Sequence, residues 1–176
     1  MKKQPRHGLS LIEILVVIAI ILVLLGLLLP VQANMRRSAR LVVCQSNLKG
    51  IATAFRHYAN DNRSYLPDET IEHIWFVIMA EYGLENVDVL QCPGDTDSFA
   101  IGLSYSWRNS MEVEFVQQSL AGKSLDMISA SSSLVMNFDA IPGWHTESDI
   151  QVAVVDASVR LMPADEFQQN MALPVQ

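Results

Sequence analysis

A long apolar run lies near the beginning of the chain. The run Leu9–Leu29 comprises 21 residues, and its two polar side chains, Ser10 and Glu13, are both close to its start. A helix of this length measures about 31 Å, which matches the hydrocarbon core of a bilayer. Pro30 ends the run and lacks the N–H of a helical residue. Together with Gly26 it predicts a kink or local melting of the helix around residues 26–30.

Beyond the run, apolar side chains recur at intervals of three or four residues, which predicts that the helix continues. These positions are Leu41, Cys44, Leu48, Ile51, Phe55 and Tyr58. The polar cluster at residues 60–64 is expected to end the helix. The predicted helix is therefore about 78 Å long from Leu9 to Asn60. Its first half is the apolar run, and its second half is the spine of a globular domain.

The second half of the chain predicts one more helix and three strands. Asp68 is a candidate N-cap for a helix over Glu69–Tyr82, with Gly83 past its end. Strands are predicted over Leu134–Asp139, Gln151–Val155 and Ser158–Met162. The fold class is α+β, with a long N-terminal helix packed on a small antiparallel sheet.

The turn between the last two strands predicts a tight hairpin at Asp156-Ala157. Glycine would suit the second turn position better, because alanine in a left-handed conformation costs about 1 kcal/mol. A different turn type is therefore the alternative. The tail that starts at Leu173 is expected to fray.

The charges around the apolar run are arranged unlike those of an ordinary secretory signal. Residues 1–8 carry Lys2, Lys3 and Arg6 and end in Gly8. In a secretory signal the apolar region precedes the cleavage site, whereas cleavage after Gly8 would leave the apolar run attached. Glu13 costs roughly 2.5 kcal/mol or more at membrane depth, so its presence in the run indicates a function.

These features resemble the type IV prepilin and pseudopilin family. The matching residues are the basic leader, Gly8 at the processing point, Leu9 as the first mature residue, Glu13 and Pro30; the family more often has Phe at the first mature position. The resemblance implies a pilin-like fold and cleavage between Gly8 and Leu9 by a prepilin peptidase. It also implies N-methylation of Leu9 and assembly into a filament with other pilin or pseudopilin subunits on an inner-membrane assembly platform.

The resemblance also implies a division of the chain and a topology. Residues 1–8 would be a removed leader, residues 9–30 a transmembrane and assembly helix, and residues 31–176 an extracytoplasmic pilin-like domain. Charge alone leaves the topology open, because Arg36, Arg37 and Arg40 after the run balance the three leader cations. The resemblance places the leader in the cytoplasm, one span in the lipid of the inner membrane, and the domain on the periplasmic side.

Glu13 has two interpretations. Its carboxylate could extend to the headgroup region at the cytoplasmic end of the span. Alternatively, it pairs with the free amine of Leu9, in its own subunit or a neighbour, since burying two opposite charges together costs far less than burying either alone. The family resemblance favours the pairing.

The rest of the chain resembles a large pilin-like family that is related to the major pseudopilin of type II secretion. The shared motifs are Cys44 with Asn47-Leu48-Lys49, then Tyr65-Leu66-Pro67, Cys92-Pro93 and Ser104-Tyr105. A terminal His-x9-Asp-Gly motif is degenerate here, because ten residues separate His145 from Asp156 and Ala157 replaces glycine. Within the class, the resemblance carried by the shared motifs favours a secretion pseudopilin over a surface pilus subunit.

Cys44 and Cys92 would face an oxidising compartment if the domain is exported. A disulfide between them would close a loop of about 48 residues and contribute roughly 4 kcal/mol. Two separate, partly buried thiols are the alternative.

Without the leader, the chain has nine basic and nineteen acidic side chains, and this acidic balance argues against nucleic-acid binding by the monomer. No cofactor is expected; Asp95 and Asp97 are weak calcium candidates. No catalytic motif is present, so we expect a structural subunit and not an enzyme. The alternative is a signal-anchored extracytoplasmic binding module that does not polymerise.

Overall fold

The computed structural model describes residues 10–68, 75–95, 103–108, 118–140 and 148–175, and for residues 27–34 it describes the backbone alone. The chain divides into two units, Met1–Ser38 and Ala39–Gln176. In the described ranges the helices are α1 (Leu11–Asp61), α2 (Trp75–Ala80) and α3 (Ala164–Met171). The strands are β1 (Tyr105–Trp107), β2 (Val135–Asp139), β3 (Asp149–Val154) and β4 (Val159–Pro163), and short 3₁₀ helices cover Val87–Leu90 and Leu125–Met127.

Helix α1 is uninterrupted over 51 residues and passes through Pro30. The local melting predicted for residues 26–30 is therefore wrong. The proline ring removes one helical hydrogen bond, the one to the carbonyl of Gly26. The hydrogen bonds on both sides of this point maintain the helix.

The second part of α1 confirms the predicted apolar stripe, because Cys44, Leu48, Ile51 and Phe55 are all fully buried. The helix ends at Asp61, within the predicted polar cluster. After it, the backbone turns through two residues with positive φ, Arg63 and Ser64.

Helix α2 covers Trp75–Ala80, so it ends two residues before the predicted end at Tyr82. Gly83 follows with a φ of 104°, a conformation that glycine adopts at helix ends without steric cost. Residues 69–74 of the predicted helix lie outside the described residues. Trp75 is fully buried, and its ring lies 5.6 Å from that of Phe55 on α1.

The described strands form one antiparallel sheet in the order β1-β2-β3-β4. This confirms the predicted α+β class with a long helix and a small antiparallel sheet. Strand β1 has three residues and was not predicted. A bulge between Val135 and Asn137 shifts the register of β2 against β3.

The predicted hairpin between β3 and β4 is present, but its turn is of another type than the two-residue turn, as the alternative expected. The amide of Ala157 donates to the carbonyl of Val154 at 2.8 Å, and the amide of Val154 donates to the carbonyl of Ser158 at 3.0 Å. This pattern is that of a three-residue loop that ends in a left-handed residue. Ala157 adopts that conformation with a φ of 66° in place of the usual glycine.

The sheet is covered on both faces. One face packs against α1, with Tyr105, Trp107 and Met136 in the same core as the apolar stripe of α1. The other face packs against α3, where the rings of Phe138 and Phe167 lie 5.0 Å apart. Strand β2 is buried at all five positions because it has a layer on each side.

A buried arginine attaches the end of α3 to the sheet. Arg108 is fully buried and follows β1 directly. Its guanidinium donates to the carbonyls of Met171 at 3.0 Å and Leu173 at 2.8 Å, and its Nε donates to the carbonyl of Gln118 at 2.8 Å. Burial lowers the pKa of Arg108 to about 10.

The tail after α3 is held in place. Because the carbonyl of Leu173 accepts a hydrogen bond from Arg108 and Val175 is buried, the prediction that the tail frays from Leu173 is wrong.

Candidate functional site

The described chain begins at the amino-terminal end of α1, where Glu13 has a partner in its own chain. The backbone N–H of Ser10 donates to Oε2 of Glu13 at 2.7 Å. In return, the N–H of Glu13 donates to the carbonyl of Ser10 at 3.0 Å. A glutamate three residues after a serine makes this first contact in the capping box of a helix N-terminus. Glu13 therefore satisfies a backbone donor that the first turn of the helix would leave unpaired.

The helix that follows this cap has an apolar surface on every side. All side chains of residues 11–26 are exposed, and the large aliphatic ones among them are between 48 % and 82 % exposed. A continuous apolar surface of this kind marks a site of contact with protein or lipid.

No helix among the described residues is both long and apolar enough to cross a membrane. The transmembrane role of residues 9–30 therefore stays a prediction.

An open groove of about 590 Å³ runs beside α1 in the second unit. Its polar lining includes Asn47, Asn86, Asp88 and Asp95, and Val43, Val89 and Pro93 supply apolar walls. Two contacts join α1 to residues 91–92, which also line the groove. Cys44 and Cys92 form a disulfide, and the side-chain amide of Asn47 donates to the carbonyl of Gln91 at 3.1 Å.

The calcium candidates are only partly described. Oδ2 of Asp95 accepts a hydrogen bond from the hydroxyl of Ser104 at 2.7 Å, at one end of the groove. Asp97 lies outside the described residues. In the described part of the chain, no three His, Cys, Asp or Glu side chains are grouped as metal ligands.

A polar row crosses the sheet on the face toward α1. Tyr105 of β1 is the cross-strand partner of Asp139 on β2. The backbone N–H of Gln151 on β3 donates to Oδ2 of Asp139 at 3.3 Å, and the side-chain amide of Gln151 donates to the carbonyl of Leu41 on α1 at 3.4 Å. Within the described residues, the side chain of Asn137 and Oδ1 of Asp139 have no hydrogen-bond partner.

Burial dominates the electrostatics of this row. It raises the pKa of Asp139 to about 7, and the negative charge of Asp95 acts in the same direction. Burial also raises the pKa of Tyr105. Asp139 therefore ionises near neutral pH, which makes it the carboxyl group whose charge is most costly to the fold among those with a resolved shift.

Comparison with known families adds one finding. Residues 3–29 match the family described as the prokaryotic N-terminal methylation motif. This match supports a type IV prepilin- or pseudopilin-like protein, in agreement with the long helix and antiparallel sheet of the structure. Neither the curated proteins nor the solved structures gave a match.

The predicted site residues have different outcomes. Gly8 and Leu9 lie outside the described residues, although both fall within the matched segment. Glu13 is at the start of α1, and Pro30 is inside it. The degenerate terminal motif is untested, because His145 also lies outside the described residues.

Three features of the structure were not predicted from the sequence. The capping role of Glu13 was signalled by the spacing Ser-x-x-Glu, which is a known N-terminal pattern. The burial of Asp139 and of Arg108 had no signal in the sequence, because a charged side chain is usually exposed.

Proposed function

We propose that this chain is a structural subunit of a filament of the type II secretion or type IV pilus type. In this proposal, a prepilin peptidase cleaves between Gly8 and Leu9, and the new amine of Leu9 is methylated. The mature subunit is held in the inner membrane by its amino-terminal helix, with the second unit on the periplasmic side. An inner-membrane platform then packs the helix against those of other pilin or pseudopilin subunits. The protein has no enzymatic activity of its own.

The match of residues 3–29 to the methylation motif carries the proposal. The exposed apolar surface of residues 11–26 supports it, because that surface requires lipid or neighbouring helices as cover. The motifs from Cys44 to Tyr105 favour a secretion pseudopilin within this class.

Glu13 is the proposed assembly determinant. Its Oε2 already accepts the N–H of Ser10, and after cleavage the amine of Leu9 would belong to the residue directly before that donor. The carboxylate would then face two donors at the helix start, one neutral and one charged. Both donors bind an ionised acceptor, but the amine carries a full positive charge and the N–H only a partial one, so the amine is the stronger partner, whether it comes from the same subunit or a neighbour.

The first test is the mass of the protein purified from membranes. The expected result is a mature chain that starts at Leu9 and carries a methyl group. A chain that still contains residues 1–8 would refute the proposal and favour the signal-anchored binding module.

The second test compares Glu13→Gln with Glu13→Ala. Glutamine keeps an oxygen that can accept the Ser10 N–H but has no charge, whereas alanine loses both properties. We expect both variants to be processed and both to form few filaments, because the charge is required. Glu166→Gln on the exposed side of α3 is the matched control and should assemble normally. Normal filaments from Glu13→Gln alone would show that Glu13 acts only as a helix cap.

A further inference from the structure

The charges of the mature chain are separated between α1 and the rest of the domain. The part of α1 from Met35 to Asn60 contains five cationic side chains and no acidic one. Residues 62–176 contain four basic and seventeen acidic side chains. This segment of α1 therefore carries cations alone, whereas the chain after α1 is strongly acidic, and surfaces of such opposite charge on two copies attract each other.

The cations at the start of this segment have little protein around them. Residues 35–40 are exposed on every side of α1. Arg36 and Arg40 are four residues apart and so project from the same side of the helix. Each has an apolar stem and a planar head that binds carboxylates through parallel hydrogen bonds.

The groove beside α1, which we call the acidic groove, has the matching features. Asp88 is exposed at its edge, and the carboxylate of Asp95 is positioned by the hydroxyl of Ser104. Val43, Val89 and Pro93 offer apolar walls for the stem of a long side chain. Its volume of about 590 Å³ is within the range of sites that enclose a ligand. The segment from Glu81 to Asp95 contains four acidic residues and no basic one.

We propose that the acidic groove of one subunit binds the guanidinium groups of Arg36 and Arg40 from a second copy of this chain. The carboxylates of Asp88 and Asp95 receive the charged heads, and the valine and proline walls contact the stems. The contact rests on the proposed filament function and specifies which surfaces meet.

The symmetry of this contact agrees with a filament. The basic segment and the acidic groove are different surfaces of one chain, so each copy uses one surface to bind the next copy and keeps the other surface available. Contacts of this head-to-tail kind produce open helical assemblies or rings, whereas self-complementary contacts close into dimers.

The test is a carbodiimide cross-link, which joins an amine directly to a carboxylate. Processed Arg40→Lys protein is prepared in unlabelled and ¹⁵N-labelled form, mixed and reconstituted into lipid vesicles. We expect mass spectrometry to find a cross-link between position 40 and Asp88 or Asp95 in which the two peptides carry different labels. Lys49 is the internal control, because nine residues at 100° per residue place it on roughly the opposite side of the helix from position 40. It should not cross-link to the groove.

A charge exchange gives a second, independent measurement. Arg40→Glu and Asp88→Arg should each lower the amount of sedimented filament about fivefold or more, and the double variant should recover most of the loss. Lys49→Glu makes the same charge change on the other flank of α1 and should leave the yield within about twofold.

The outcomes of these experiments distinguish the proposed contact from the proposed filament function. Absence of the mixed-label cross-link, or its restriction to peptides of one label, overturns the contact even if the protein forms filaments. A mixed-label cross-link without filaments supports the contact and refutes the filament function. If the double variant loses as much as the two single variants combined, the two side chains do not meet.

Discussion

Replacement of Asp139 by asparagine is expected to stabilise the protein, and to do so mainly at high pH. Asp139 is 4 % exposed at the end of β2, and its burial raises its pKa from 3.8 to about 7. A difference of this size corresponds to about 4 kcal/mol between the two protonation states. Asparagine has nearly the same shape and can still accept the N–H of Gln151, but it has no charge to bury.

The direction with pH follows from the two pKa values. Below pH 3.8 the carboxyl group is protonated in both the folded and the unfolded chain, and it imposes no electrostatic penalty. Between 3.8 and about 7 the unfolded chain loses its proton and the folded chain keeps it, so the free energy of unfolding falls as the pH rises. Above about 7 the folded chain also ionises, and the full penalty is present.

The assay is urea unfolding of the full chain in detergent micelles, followed by the fluorescence of the buried Trp75 and Trp107. The Asp139→Asn variant should gain up to about 4 kcal/mol near pH 8.5 and less than about 2 kcal/mol near pH 5. Asp126→Asn, at an exposed position, is the control and should change the free energy of unfolding by less than about 0.5 kcal/mol. An equal gain at both pH values, or no gain near pH 8.5, would refute the reasoning.

Three further variants, two of them with a matched control, test the packing of the domain in the same unfolding assay. The double variant Cys44→Ser/Cys92→Ser should lower the free energy of unfolding by roughly 4 kcal/mol, since it opens a loop of 48 residues. The unsubstituted protein should show the same free energy of unfolding as this variant once a reductant has opened its disulfide. Arg108→Met should cost about 2–5 kcal/mol because the carbonyls of Met171 and Leu173 lose their donor, whereas Arg160→Met at an exposed ion pair should cost less than about 1 kcal/mol. Ala157→Gly should stabilise by about 1 kcal/mol at its positive φ, and Ala172→Gly, at an ordinary right-handed φ, should not stabilise.

The elements that could be predicted from the sequence are those with a long periodic pattern. The stripe from Leu41 to Tyr58 repeats over five turns, so the second part of α1 was predicted correctly. Strands β2, β3 and β4 have enough β-branched and apolar residues to be recognised, although their bounds differ by one or two positions. At Pro30 the predicted local melting was wrong, because one missing hydrogen bond does not interrupt a helix that continues on both sides; the alternative, a kink, stays a prediction.

The elements that escaped prediction are short or depend on contacts distant in the sequence. Strand β1 has three residues, and α3 has eight residues with few apolar positions, chiefly Phe167 and Met171. Both exist because the sheet supplies a surface for them. The positions of Asp139 and Arg108 depend on the same assembly, since neither residue is buried until strands, α1 and α3 come together.

The hydrogen bonds from Arg108 to the carbonyls of Met171 and Leu173 have a consequence for the order of folding during synthesis. A chain that emerges from its amino end presents α1, β1 and the arginine long before residues 171–173 exist. Until those residues arrive, the guanidinium has no carbonyls from α3 and stays hydrated, so the sheet cannot close its second face. The domain can therefore reach its native state only after its last helix has been delivered.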